Sequence, residues 1–188
     1  MELDDLGRDA SGIPALHFDL LGAPRWRIGD GGARMLSRKD AVLIAMLALS
    51  GLQPRDVLAG RLWPEVDQRG AAANLRQRIA RLRRDTGHRA FDTGPSVRLA
   101  DGVAFDLASI PTMSAEALFY AGELLAGFDY TDNEFLHTWV NEQRERLRRA
   151  RADALAGHAQ RHEAKGEVVA ALRLNERILS LMPLQEHA

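Results

Sequence analysis

The chain has 188 residues and a formal net charge of only −1. Its hydrophobic share of 46% and charged share of 27% are ordinary for a globular protein, with room for one large or two small cores. The absence of cysteine excludes disulfide staples and thiolate metal sites and fits a reducing cytoplasm, and the longest apolar run, Ala41 to Leu49, is too short to cross a membrane.

The first dozen residues, MELDDLGRDASG, are acidic and lack the basic start and apolar stretch of a secretion signal. A disordered tail is expected over residues 1–13. Residues 15–36 read as strands: Leu16, Phe18 and Leu20 alternate, as do Trp26 and Ile28, and Gly29-Asp30-Gly31-Gly32 is turn chemistry. That glycine run lacks the lysine and the strand-to-helix setting of a phosphate loop, which favours a hairpin turn. Ser37-Arg38-Lys39-Asp40 is a capping-box-like start for an apolar helix that Gly51 stops. Pro54 suits the first turn of a second helix, ended by Pro64 after Leu62-Trp63.

Asp67 can cap a third helix that Gly87 ends. Six arginines and no acidic residue lie between Arg69 and Arg84. Leu75, Ile79 and Leu82 recur at i, i+4 and i+7, one buried stripe. A helical wheel turns Asn74, Gln77, Arg81 and Arg84 away from that stripe, with Arg76, Arg78 and Arg83 on its flanks. Such a run is compatible with a merely solvated basic helix, so its setting decides. Beyond it, Phe91 to Leu99 encloses Thr93-Gly94-Pro95-Ser96, a hairpin with a polar tip and Arg98 beside it. Strands, three helices and a hairpin is the order of a winged helix, in which the third helix enters the major groove and the hairpin reaches adjacent backbone.

The character changes after Ile110-Pro111. A helix is expected over 114–126, capped by Ser114 and stopped by Gly127, then a long one from about Asp132 to Lys165 and another from Glu167 to Leu181. Ala159, Gly166, Ala171 and Pro183 follow the spacing of one tetratricopeptide-type helical pair, whose stacking face would be uncovered, as in a truncated or naturally short form. Charge divides the same way: residues 13–112 hold 15 Arg/Lys against 10 Asp/Glu, residues 113–188 hold 9 against 12. A basic half joined to an acidic half points to a polyanion partner for the first. Arginine outnumbers lysine 23 to 2, a bias of GC-rich bacterial genomes.

The chain beyond its tail resembles bacterial regulators of the SARP type, the Streptomyces antibiotic regulatory protein family. Those join an OmpR/PhoB-like winged helix to a bacterial transcriptional activator domain. The residues that carry the likeness are Leu36-Ser37-Arg38-Lys39, Leu62-Trp63-Pro64, and Asn74-Leu75-Arg76 leading to Arg81-Leu82-Arg83. In the second half they are Tyr120-Ala121-Gly122-Glu123-Leu124-Leu125-Ala126-Gly127-Phe128, Trp139 with Arg144, and Pro183-Leu184-Gln185-Glu186. The resemblance implies an α+β winged helix at 14–108 followed by an all-α, tetratricopeptide-like domain at 112–188. It further implies a recognition helix at 68–86, a wing at 91–99, promoter binding as two copies on direct repeats, and contact with RNA polymerase holoenzyme. It implies neither a receiver-type phosphorylation switch nor, lacking a phosphate loop, ATP hydrolysis.

On that reading Asn74, Gln77 and Arg81 are the expected base readers, since Asn or Gln pairs with adenine and Arg with guanine. Arg69, Arg76, Arg78, Arg84, Ser96 and Arg98 are expected at phosphates. Arg38 and Lys39, at a helix start, add backbone contacts through charge and free N–H groups. His158 and His162 stand at i, i+4, but nothing completes a metal set, and both are expected to be structural. Arg144, Arg146, Arg148, Arg149 and Arg151 are interrupted by Glu142, Glu145 and Asp153 and read as a solvated, ion-paired face. No nucleophile–base set or cofactor loop is found, so no enzymatic activity and no cofactor is expected. The competing reading is a protein-interaction scaffold whose winged helix leaves DNA alone.

Overall fold

The computed structural model describes residues 15–87 and 90–182. The expected tail at 1–13 and the Pro183-Leu184-Gln185-Glu186 motif lie outside those residues. Strands β1 (Leu16–Asp19), β2 (Arg25–Ile28) and β3 (Arg34–Met35) come first. Leu16 and Phe18 are buried while His17 and Asp19 are half-buried, the period-two pattern of a strand with one face on a core. Helix α1 (Arg38–Ser50) follows, started by the Ser37 side chain, which accepts from the Asp40 N–H. Gly51, at φ 68°, ends it by returning its N–H to Leu47.

Next come β4 (Gln53–Pro54), α2 (Arg55–Leu62) and α3 (Gln68–Asp85), the last capped by Asp67, whose side chain accepts from the Gly70 N–H. Leu75, Ile79 and Leu82 form the buried stripe of α3, as the periodicity predicts, and Ala71 extends it by one turn. Strands β5 (Phe91–Thr93), β6 (Ser96–Leu99) and β7 (Ala104–Phe105) complete two small sheets, ordered β3-β2-β1-β7 and β4-β6-β5. The short helix α4 (Asp106–Ser109) puts the Asp106 carboxylate on the N–H groups of Leu20 (2.9 Å) and Leu21 (2.8 Å), just past the end of β1. Burial pushes this carboxyl up, and the two backbone bonds oppose the shift.

The remainder is helical: α5 (Ala115–Tyr120), α6 (Glu134–Ala164) and α7 (Val168–Leu181). α7 folds back on α6 through a turn at Gly166 (φ 74°), with Ala159 and Ala171 both buried at 2% exposure where the helices meet. α5 stops well short of the expected 126. Residues 121–126 leave the helix because their backbone has other partners: the Gly22 N–H donates to Glu123, Leu125 donates to Leu20, and Ala126 donates to Gly22. Leu124 and Leu125 are thereby carried into the core beside Leu20. The arginine run on α6 also differs from a solvated face. Arg148 and Arg149 do pair with Glu145. Arg144, however, donates to the carbonyls of Leu124 (3.0 Å) and Leu125 (3.3 Å). Arg151, only 4% exposed, donates to those of Leu118 (2.9 Å) and Gly122 (3.2 Å). These side chains donate to carbonyls at and beyond the end of the shortened helix, of which that of Leu125 also accepts from the Phe128 N–H. Burial and the nearby Arg177 pull the Arg151 guanidinium below its ordinary pKa.

The α/β part and the helical part therefore share one continuous core. Arg151→Leu keeps the apolar stem but strands two carbonyls, and should lower stability by about 1–3 kcal/mol. Urea unfolding monitored by circular dichroism measures this, and a change under roughly 0.5 kcal/mol, the level of an ordinary surface substitution, would show that Arg151 has no such role.

Candidate nucleic-acid interface

Everything that places α3 follows from its stripe. With Ala71, Leu75, Ile79 and Leu82 against the core, helical geometry leaves Arg69, Arg76, Gln77, Arg81 and Arg84 exposed and Asn74 half-exposed. Asn74, Gln77, Arg81 and Arg84 line one open depression with Trp63 at its side. Trp63 itself is buried at 6%, and the Lys39 ammonium stands 4.9 Å over its ring. The hairpin tip lies toward the other end of α3, where Gly94, Arg55, Gln68 and Arg76 border a second depression. Arg55 fixes that tip: its Nε donates to the Gly94 carbonyl at 2.7 Å and its backbone N–H to that of Pro95 at 3.2 Å. Arg83, half-buried on α3, reaches Thr93 Oγ1 at 3.4 Å.

The residues expected at DNA separate into three groups. Asn74, Gln77, Arg69, Arg76 and Arg84 make no ion pair among the described residues and keep their donors for a ligand. Arg78 and Arg81 are engaged by α1: Arg78 Nη1 donates to Asp40 Oδ1 at 2.9 Å, and Arg81 donates to Asp40 Oδ2. The third group is already neutralised elsewhere. Arg98 sits between Asp92 (2.6 Å) and Asp101 (2.9 Å), whose hydrogen bonds and charge, Asp101 first, hold its pKa up. Arg38 donates to the Asp129 carbonyl (2.6 Å), pairs with Asp132 and stacks 5.4 Å over Tyr130. Lys39 donates to the Leu62 carbonyl (3.0 Å) and faces Glu65 at 3.5 Å. Ser96, half-buried at the start of β6, lies in the hairpin and makes the pairing with Pro54.

Two contributors escaped the sequence reading. Arg55 was hidden because nothing local distinguishes an arginine after Pro54; only the strand pairing of β4 with β6 brings it to Gly94. Asp40 was visible as the fourth residue of a capping box, but its reach to α3 depends on how the helices pack. The histidines at i, i+4 point to separate partners: His158 Nε2 is 3.0 Å from the Met113 carbonyl, and His162 Nδ1 is 2.5 Å from Glu167.

Neither a protein-family model nor a curated relative matches this sequence. Among solved structures, the fold matches Mycobacterium tuberculosis EmbR, determined in complex with a low affinity phosphopeptide, at a TM-score of 0.53 and 20% identity. The match covers 89% of this chain and 57% of that one, so the chain spans little more than half of the EmbR polypeptide. The chain thus has an EmbR-like fold, a mixed α/β region followed by a helical region. Among the described residues no helix is long and apolar enough to cross a membrane.

The grouping makes a stability forecast. Arg84→Ala removes an exposed, unpaired side chain and should change stability by less than about 0.5 kcal/mol. Arg78→Ala removes one of the partners of a buried carboxylate and should cost about 1–3 kcal/mol. Equal urea midpoints for the two variants would refute the division.

Proposed function

We propose that the chain is a sequence-specific regulator of transcription that binds double-stranded DNA. The observation that carries this is the outward face of α3, where Gln77, Arg76, Arg84 and Arg69 stand exposed and Asn74 half-exposed, with no carboxylate among the described residues holding them. Residues 14–108 act in this reading as an OmpR/PhoB-like winged helix with α3 as recognition helix and the β5–β6 hairpin as wing. Residues 112–188 act as the tetratricopeptide-like activator-type domain of a SARP regulator and meet RNA polymerase. The EmbR-like fold supports that assignment at the level of architecture. The setting is the bacterial cytoplasm, and two copies on repeated half-sites supply the specificity that one recognition helix lacks.

Asn74 and Gln77 present amide donors and acceptors suited to adenine, and Arg81 presents a planar fork suited to guanine. Arg69, Arg76 and Arg84 meet phosphates, where an unpaired cation gains most by displacing counterions. Arg38, Lys39, Arg78 and Arg98 contribute less to backbone binding, since each already has a carboxylate beside it. Ser96 offers a hydroxyl from the hairpin.

Selection of duplexes from a random library yields the cognate site, and anisotropy titrations over a range of salt then test the reading. Binding should weaken steeply with salt and keep an excess for the selected site. Arg84→Ala should weaken selected and scrambled duplexes alike and reduce the salt slope by about 1, whereas Gln77→Ala should cost about 1–3 kcal/mol on the selected site alone. A protein that enriches no duplex, or whose weak binding shows no salt dependence, is a scaffold instead.

A further inference from the structure

We infer that Asp40 is a positioning residue for the DNA-reading face: it fixes the Arg81 guanidinium for a base and withholds the Arg78 and Arg81 charges from indiscriminate phosphate binding. This rests on the DNA-binding reading above.

Asp40 belongs to α1, yet its carboxylate is shared by two arginines of α3 that stand one helical turn apart. The residue is 3% exposed. Both of its oxygens are occupied: Oδ1 accepts from Arg78, and Oδ2 accepts from Arg81 and from the Ser37 hydroxyl. Ser37 Oγ in turn accepts from Arg78 Nη1 at 3.0 Å, which closes the cluster. An acidic residue in the first turn of a helix is explained by capping and by the helix dipole. Capping does not require two guanidinium groups from another helix. Their convergence makes α1 the wall against which the α3 side chains are set.

The two arginines are not equivalent. The Arg78 side chain is 22% exposed and bonds to both Asp40 and Ser37, so more of its donors are used within the protein. The Arg81 side chain has one such partner and is 44% exposed, in the depression that both arginines share with Asn74, Gln77 and Arg84. Reading guanine demands both N–H groups of a planar fork in a fixed orientation. A long side chain free in water pays for that order on binding, while one already bonded to a buried carboxylate has its rotamers restricted beforehand. Asp40 also changes the electrostatics. Two arginines and one carboxylate carry one net positive charge, so the cluster attracts every phosphate less than two unpaired arginines would. Orientation raises affinity for the right sequence, and neutralisation lowers it for all others.

The test uses the full chain, the selected duplex and a scrambled duplex, each over a salt series. Asp40→Asn should bind the scrambled duplex more tightly, with a salt slope steeper by about 1–2 as charge is released. The ratio of selected to scrambled affinity should fall roughly tenfold, the effect of one lost base contact. Asp40→Glu, which keeps a carboxylate, should retain more of the ratio than Asp40→Asn. Arg81→Lys, which keeps charge and loses the fork, should lower the ratio by itself, and adding Asp40→Asn should lower it little further. In the free protein the Arg81 Nη2 hydrogens, which carry the bond to Asp40, should be resolved and slow to exchange in nitrogen-15 NMR, and lost in Asp40→Asn. A folded Asp40→Asn with an unchanged ratio overturns the inference while leaving DNA binding intact, as do additive losses in the double variant. Should Asp40→Asn fail to fold, an Arg81→Lys protein with the full ratio overturns it equally. A wild-type chain that binds neither duplex removes the DNA reading itself and this inference with it.

Discussion

Seven consecutive residues of α1, Ala41 to Leu47, are buried, so this helix has no solvent face along half its length. An all-round apolar helix must sit at the centre of its domain, and its polar N-terminus has to be satisfied from within the protein. That requirement organises the molecule. Ser37 and Asp40 close the first turn on itself. The carboxylate thus buried needs cations, and α3 supplies them; the neighbouring Arg38 and Lys39 turn outward to partners on the helical part and on the end of α2. The buried start of α1 is thereby tied to two arginines of α3.

A second constraint acts beyond the end of β1. The backbone of residues 121–126 is taken from a helix and bonded to Leu20 and Gly22, and Gly122 comes so near Gly22 that a Cβ there would lie 2.5 Å from the Gly22 Cα. Only glycine permits this approach. The carbonyls left over are collected by Arg144 and Arg151 from α6. Local propensity favours a longer α5, and tertiary hydrogen bonds outweigh it, since each unsatisfied buried carbonyl costs more than the few tenths of a kcal/mol that propensity distinguishes.

What could be read from residues alone follows this division between local and long-range causes. The α3 stripe, its Asp67 cap, the Ser37 start of α1 and the Gly51 stop are local patterns, and the structure places each where the pattern does. The outward set on α3 was legible for the same reason, because a wheel needs only the stripe. Partners of the arginines were not legible. Arg78 and Arg81 find Asp40 across about forty residues, Arg38 finds Asp132 across more than ninety, and Arg151 finds carbonyls on a segment that had itself been read as helix. An arginine looks the same in sequence whether it faces a phosphate, a carboxylate or a carbonyl. Only packing chooses among them.

The first turn of α1 is consequently shared between two tasks. On one side Asp40 holds α3; on the other, Arg38 grips the 129–133 loop of the helical part. The ion pair with Asp132 is largely exposed and adds little rigidity in water. The firmer ties are those out of solvent: the Tyr130 hydroxyl donates to the Arg38 carbonyl at 3.1 Å, and Asn133, 7% exposed, donates to the Arg61 carbonyl at 2.8 Å. Burial pushes the Tyr130 phenol up, so it stays protonated and able to donate across the ordinary pH range. One turn of helix therefore contacts both the helical part and the arginines of α3 through partly buried hydrogen bonds. The 129–133 loop and the arginines of α3 are thus both attached to the same turn, the loop through the Arg38 carbonyl and α3 through the Asp40 carboxylate.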